Sequence, residues 1–166
     1  MIKYGRNIIP KTREVNNGVY ISELLTDEEL AKWTLGKKIM IKAQTGKGKT
    51  HFIFERLIPR LANNELVLVL SNRSLLQGQN ALKVNNRNVV CVNYQYVEKM
   101  SLEDMTKWLA RFSLIFFDEC HYFFTDSAFN NRTDKLFNFA IQPNANQLHV
   151  FASATPEPLF YSRRAL

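Results

Sequence analysis

Only two of the 166 residues are cysteine, Cys91 and Cys120. Two thiols cannot build the disulfide framework of a small secreted domain, and with His51, His121 and His149 they make no zinc-site spacing. Reduced thiols are expected. Glycine and proline are scarce, at six and five, which excludes collagenous and low-complexity architectures. Long hydrophobic runs are missing too: the longest aliphatic stretch is Leu66 to Leu70, against the roughly 20 apolar residues of a membrane span. At the amino terminus, Lys3 and Arg6 are followed by no apolar stretch and no small-residue cleavage pattern, so no secretory signal is read there. These absences point to a soluble, cytoplasmic protein with no membrane partner.

What is present is the composition of a folded domain, with 46% hydrophobic and 22% charged residues. The length suffices for one domain with a substantial core. Lysine and arginine number 22 against 15 acidic residues, a net charge of +7. That excess suits a polyanionic partner if it gathers on one face, and otherwise is simply a solvated basic surface.

From Lys38 onward, short β-rich runs alternate with amphipathic stretches, the pattern of an α/β fold with a mainly parallel sheet and helices on both faces. Strands are predicted over 38–42, 66–70, 89–92, 113–117 and 148–152. Helices are predicted over 49–61, where Pro59 lies near the end, and over 74–83, 102–111 and 132–141. Ahead of the first strand, Thr26-Asp27-Glu28-Glu29 has the capping-box arrangement, with Leu30 and Trp33 on one face of the helix that follows. Residues before it, including the turn signal Asn16-Asn17-Gly18, read as an arm or edge element.

Two segments carry chemistry. Ala43-Gln44-Thr45-Gly46-Lys47-Gly48-Lys49-Thr50 follows the first strand and opens a helix, the context of a phosphate-binding loop. Its glycines let backbone amides turn toward phosphate oxygens, so Gln44, Thr45, Gly46, Lys47, Gly48, Lys49 and Thr50 are the candidate nucleotide-binding residues. Lys49 is placed to reach the β and γ phosphates, and the Thr50 hydroxyl to ligate Mg²⁺. The second segment, Asp118-Glu119-Cys120-His121, ends the apolar run Ser113 to Phe117, where open α/β sheets place their ligands. Asp118 suits a Mg²⁺ site, and Glu119 suits orienting or deprotonating a water that attacks the γ phosphate. The catalytic candidates are therefore Lys49, Asp118 and Glu119, with ATP and Mg²⁺ as the ligands.

Taken together these segments resemble motifs I and II of superfamily 2 helicases and translocases of the DExH type, in their first RecA-like domain. Ser153-Ala154-Thr155, after the last strand, resembles motif III, and Ser71 to Gln79 resembles motif Ia. The resemblance covers residues 38–156. It implies a RecA-like P-loop fold in which the motif III strand lies between the P-loop strand and the motif II strand. On that placement, Ser153 and Thr155 would sit beside Asp118 and His121 and couple nucleotide state to nucleic-acid binding. Ser71, Arg73 and Ser74 would contact the backbone of DNA or RNA. Residues 1–37 would form an arm and helix ahead of the core, and residues 157–166 the start of a linker to a second RecA-like domain, in cis or in trans, carrying the arginine fingers. No glutamine motif for adenine is found over Leu24 to Leu35, leaving residues near Tyr20 to Leu35 to pack on the purine. Tyr94 and Tyr96 read either as base-stacking or as core aromatics. The alternative function is a standalone nucleotide- and nucleic-acid-binding module without turnover. Glu119 favours the motor, because a pure binder needs no water-activating carboxylate, while a P-loop kinase leaves Ser-Ala-Thr unexplained.

Overall fold

The computed structural model describes residues 20–44, 46–61, 64–72, 88–125, 131–142 and 144–155. In chain order the elements are α1 (Ile21–Leu24), α2 (Asp27–Ala31), β1 (Lys38–Lys42), α3 (Lys49–Phe52), β2 (Val67–Ser71) and β3 (Val89–Asn93). They continue with α4 (Tyr94–Glu98), α5 (Leu102–Leu109), β4 (Leu114–Asp118), α6 (Tyr122–Thr125), α7 (Asn131–Ile141) and β5 (Leu148–Ser153). All five strands are parallel, in the order β1-β5-β4-β2-β3. This is an α/β fold, and every strand ends at the same edge of the sheet.

Successive residues of a strand face opposite sides, so the apolar runs divide between two cores. Val67, Val69, Leu114, Phe116, Val150 and Ala152 pack with Ile21, Leu30, Phe52, Ile53 and Leu57, which brings α1, α2 and α3 onto one face. Leu68, Leu70, Ile115, Phe117 and Phe151 pack with Tyr94, Val97, Leu109, Leu136 and Phe137, which places α4, α5 and α7 on the other. The central strands β2, β4 and β5 are buried along their whole length, whereas β3 at the edge is half-buried.

The capping box forms at α2, with Glu29 N–H donating to Thr26 Oγ1 at 3.3 Å and Thr26 N–H to Glu29 Oε2 at 3.2 Å. Arg56 then ties this region to the segment after α3, donating to the Ser22 carbonyl at 2.7 Å and to Asp27 Oδ1 at 2.8 Å. Arg56 and Arg60 beside Asp27 hold its carboxyl below the usual carboxylate range.

Two differences from the predicted elements have physical reasons. The helix expected over 49–61 is not uniform: α3 passes into a π-helical turn (Ile53–Leu57) and a 3₁₀ turn (Ile58–Arg60), and Pro59, which has no N–H to donate, falls in that last turn. The short helix α4 follows β3 directly because Asn93 caps it, its side chain accepting from Tyr96 N–H at 2.8 Å. The helix expected over 74–83 lies outside the described residues. Among the described residues no helix is long and apolar enough to cross a membrane.

At the opposite edge of the sheet, carbonyls at the ends of α5 and α7 and just beyond α5 find side-chain donors. Gln147 Nε2 donates to the Leu109 and Phe112 carbonyls at 2.7 and 2.9 Å, and Lys38 Nζ to the Ile141 carbonyl at 2.6 Å. Buried His149 sits among them, with Nδ1 2.9 Å from the Ala140 carbonyl and Nε2 3.1 Å from Gln147 Oε1.

Candidate functional site

The loop between β1 and α3 needs glycine at two points. Gly46 has φ +82° and Gly48 φ +75°, a region that L side chains rarely adopt. At Gly48 a Cβ would also come within 3.1 Å of the Tyr20 ring. The loop is fastened at both ends: Ala43 N–H donates to the Ser153 carbonyl at 3.0 Å, and Phe52 N–H to the Gly48 carbonyl at 2.8 Å. From α1, Ile21 N–H donates to the Lys47 carbonyl at 3.2 Å. Gln44 and Gly46 are exposed, Lys47 and Gly48 are partly so, and Thr50 is the second residue of α3. Thr45 lies outside the described residues.

Lys49 is turned inward and only 8% exposed. Its Nζ donates to the Ala43 carbonyl at 3.1 Å and pairs with Glu119 Oε1 at 3.0 Å. The other Glu119 oxygen lies 3.3 Å from His121 Nδ1, which is also 3.1 Å from Ser153 Oγ. Ser153 Oγ in turn accepts from Thr155 N–H at 3.1 Å. A proton on His121 Nδ1 can serve either the carboxylate or the hydroxyl, so the imidazole stands at a branch point.

The sheet order produces this cluster. Because β5 lies between β1 and β4, Ser153 at its end stands between the loop and the Asp118 turn, one strand spacing from each, with Lys42 opposite Ser153 and Asp118 opposite Ala152. Six residues singled out in the sequence, Lys49, Asp118, Glu119, His121, Ser153 and Thr155, therefore meet at one edge. Asp118 is the last residue of β4 and is buried, with Oδ1 accepting from Glu119 N–H at 3.1 Å. Ser71 is buried at the end of β2, the strand beside β4, while Arg73 and Ser74 lie outside the described residues.

Glu119 has φ +51°, the single non-glycine residue with positive φ among those described. Left-handed backbone costs an L-residue roughly 1–2 kcal/mol, so the turn is held by its surroundings. Cys120 N–H donates to the Ala152 carbonyl at 3.0 Å, and burial pushes the Cys120 thiol far up, keeping it protonated. Beneath the turn, the Tyr94 hydroxyl donates to the Asp118 carbonyl at 2.8 Å. Burial raises the Tyr94 phenol well above its ordinary value, which keeps it a neutral donor. Its ring stacks on Tyr122 at 4.5 Å between centroids, and the Tyr122 hydroxyl donates to buried Glu98 Oε2 at 3.0 Å.

Of the two tyrosines left open by the sequence, Tyr94 is thus a core aromatic with a polar task, and Tyr96 is half-exposed. Sequence reasoning missed the Tyr94, Tyr122 and Glu98 group. The one available signal was the helical spacing of Tyr94, Val97 and Glu98, too short to separate from a strand end.

A three-ligand protein cage for a metal is absent among the described residues. One buried carboxylate at a strand end, next to a glycine loop with an inward lysine, instead suits a hard cation that binds together with phosphates and keeps part of its water shell. No protein-family model matches the sequence, and no curated protein matches it.

Proposed function

We propose that this chain is the ATP-binding motor domain of a DExH-type helicase or translocase, a RecA-like P-loop domain that works on DNA or RNA with a second RecA-like domain. The observation that carries the reading is the continuous polar contact from Lys49 through Glu119 and His121 to Ser153, spanning the ends of β1, β4 and β5. A phosphate loop, an acidic strand end and a hydroxyl-bearing strand end in contact form a route for coupling, not merely a binding pocket.

The roles follow from the chemistry of each side chain. Lys49 offers a single inward cation to the phosphates, in competition with Glu119 for the same ammonium. Asp118 and Thr50 would hold Mg²⁺, which when bound neutralises charge on the phosphate oxygens. Glu119, released from Lys49, orients a water for attack on the terminal phosphate. His121 then switches the hydrogen bond from its ring N–H between Glu119 and Ser153, and Thr155, hydrogen-bonded to Ser153, carries the change out of the site. Ser71, with Arg73 and Ser74 beyond it, would contact a nucleic-acid backbone.

Titrating a fluorescent ATP analogue with Mg²⁺ into the wild-type chain and the Lys49→Ala variant tests the reading. Loss of a charge-assisted contact worth about 1.5–3 kcal/mol predicts affinity weaker by about 10- to 100-fold. Equal affinities would refute the assignment of the loop.

A further inference from the structure

The peptide group joining Asp118 to Glu119 is held at both ends. Its carbonyl accepts from the Tyr94 hydroxyl at 2.8 Å, and its N–H donates to Asp118 Oδ1 at 3.1 Å. Straight after this plane the chain turns through Glu119 at φ +51°, and the next amide is fastened to the Ala152 carbonyl at 3.0 Å. With both flanking peptide groups anchored, the direction in which the Glu119 side chain leaves the backbone is set by their orientation. That direction brings its two oxygens to Lys49 and His121.

Resting on the function proposed above, the geometry points to Tyr94 as a positioning residue that fixes the Asp118–Glu119 peptide and so aims the Glu119 carboxylate. A buried tyrosine needs some acceptor for its hydroxyl. What distinguishes Tyr94 is the acceptor it has, the carbonyl that immediately precedes the left-handed residue. Tyr94 is itself braced: it stacks on Tyr122, and the Tyr122 hydroxyl returns to Glu98, which lies one helical turn after Tyr94 on α4. Both rings are essentially inaccessible to water, where a hydrogen bond constrains geometry more strongly than at the surface. The helix α4 therefore presents Tyr94, Val97 and Glu98 inward and leaves Gln95 and Tyr96 outward, linking an exposed surface to the acidic turn.

Tyr94→Phe deletes one oxygen and keeps the stack. In the 166-residue chain, amide exchange followed by NMR is expected to quicken by about tenfold or more at Glu119 and Cys120, the loss of roughly one buried hydrogen bond, with Val69 and Leu70 unchanged. Single-turnover hydrolysis with enzyme in excess is expected to slow by about tenfold, with affinity for Mg²⁺ and ATP kept within about twofold. In a Glu119→Gln background the same change is expected to add no further slowing, because the carboxylate it aims is already gone.

Unchanged exchange at Glu119 and Cys120 overturns the inference, and so does a slowing that multiplies with that of Glu119→Gln. Wild-type protein that neither binds nor hydrolyses ATP overturns the proposed function instead, and the exchange measurement then decides on Tyr94 alone. If Tyr94→Phe does not fold, Tyr122→Phe serves in its place: a smaller rise in exchange at Glu119, about threefold, is expected, and no rise overturns the proposal.

Discussion

Replacing Glu119 by alanine and, separately, by glycine isolates the backbone strain at the acidic turn. Both variants lose the carboxylate and its contacts with Lys49 and His121, so that loss cancels in the comparison. What remains is the backbone at φ +51°. Alanine there bears the left-handed cost of roughly 1–2 kcal/mol, and glycine does not. Glycine loses more freedom on folding, about 0.4–1 kcal/mol, which offsets part of the gain. The glycine variant should therefore be the more stable of the two by about 0.5–1 kcal/mol, the reverse of the order at ordinary helical positions. With a urea slope of about 2–3 kcal/mol/M, the midpoints should differ by about 0.3 M at equal slope. Equal midpoints, or a more stable alanine variant, would refute the claim that strain is stored at Glu119. Both variants should be inactive, so stability and turnover would move independently.

Other expectations follow from the same structure. Burial lowers the His149 pKa from 6.5 to about 4, with the Ala140 carbonyl opposing and Lys38 assisting. The unfolded chain therefore takes up this proton first: stability is full above about pH 6.5 and falls by about 3 kcal/mol as pH drops toward 4. Urea midpoints across that window should show the slope, and His149→Gln should flatten it; an unchanged slope would contradict the assignment. Nucleic-acid binding should be weak and backbone-directed, its affinity dropping steeply with salt in fluorescence anisotropy, and Arg73→Ala should weaken it at low salt. A flat salt response would argue against that contact. On the proposed function, turnover by this chain alone should be slow, and a second RecA-like domain supplying an arginine should raise it by about 10³- to 10⁵-fold in a phosphate-release assay. Fast nucleic-acid-stimulated turnover without that domain would disprove the dependence.

The strands were legible because each is a short apolar run that a parallel sheet buries on both faces, and the observed strands lie within a residue or two of the predicted ones. The loop and acidic turn were legible for a different reason, since glycine spacing before Lys49 and adjacent carboxylates after an apolar run are local patterns. Contact among Lys49, Glu119, His121 and Ser153 was not local. It depends on β5 entering between β1 and β4, which the sequence suggested only through a family resemblance. The Tyr94 hydroxyl bond was illegible altogether, because composition cannot tell which carbonyl a buried tyrosine will meet. The π-helical turn after α3 was equally hidden, because α and π turns share the same apolar residues.

The position of β1 at the sheet edge also governs the order of events in folding. Its partner in the sheet is β5, and the first matched pair, Lys38 with His149, is separated by about 110 residues of chain. Closing a loop of that length costs about 4 kcal/mol in chain entropy, recovered only once both strands are docked. Strands β2, β3 and β4 can pair earlier, since fewer residues separate them. During synthesis the glycine loop after β1 thus leaves the ribosome long before the strand that anchors it, and Ala43 waits for the Ser153 carbonyl throughout that interval. The contacts joining Lys49, Glu119 and Ser153 are then among the last native structure to form, and refolding followed at this cluster should lag behind refolding followed at β2.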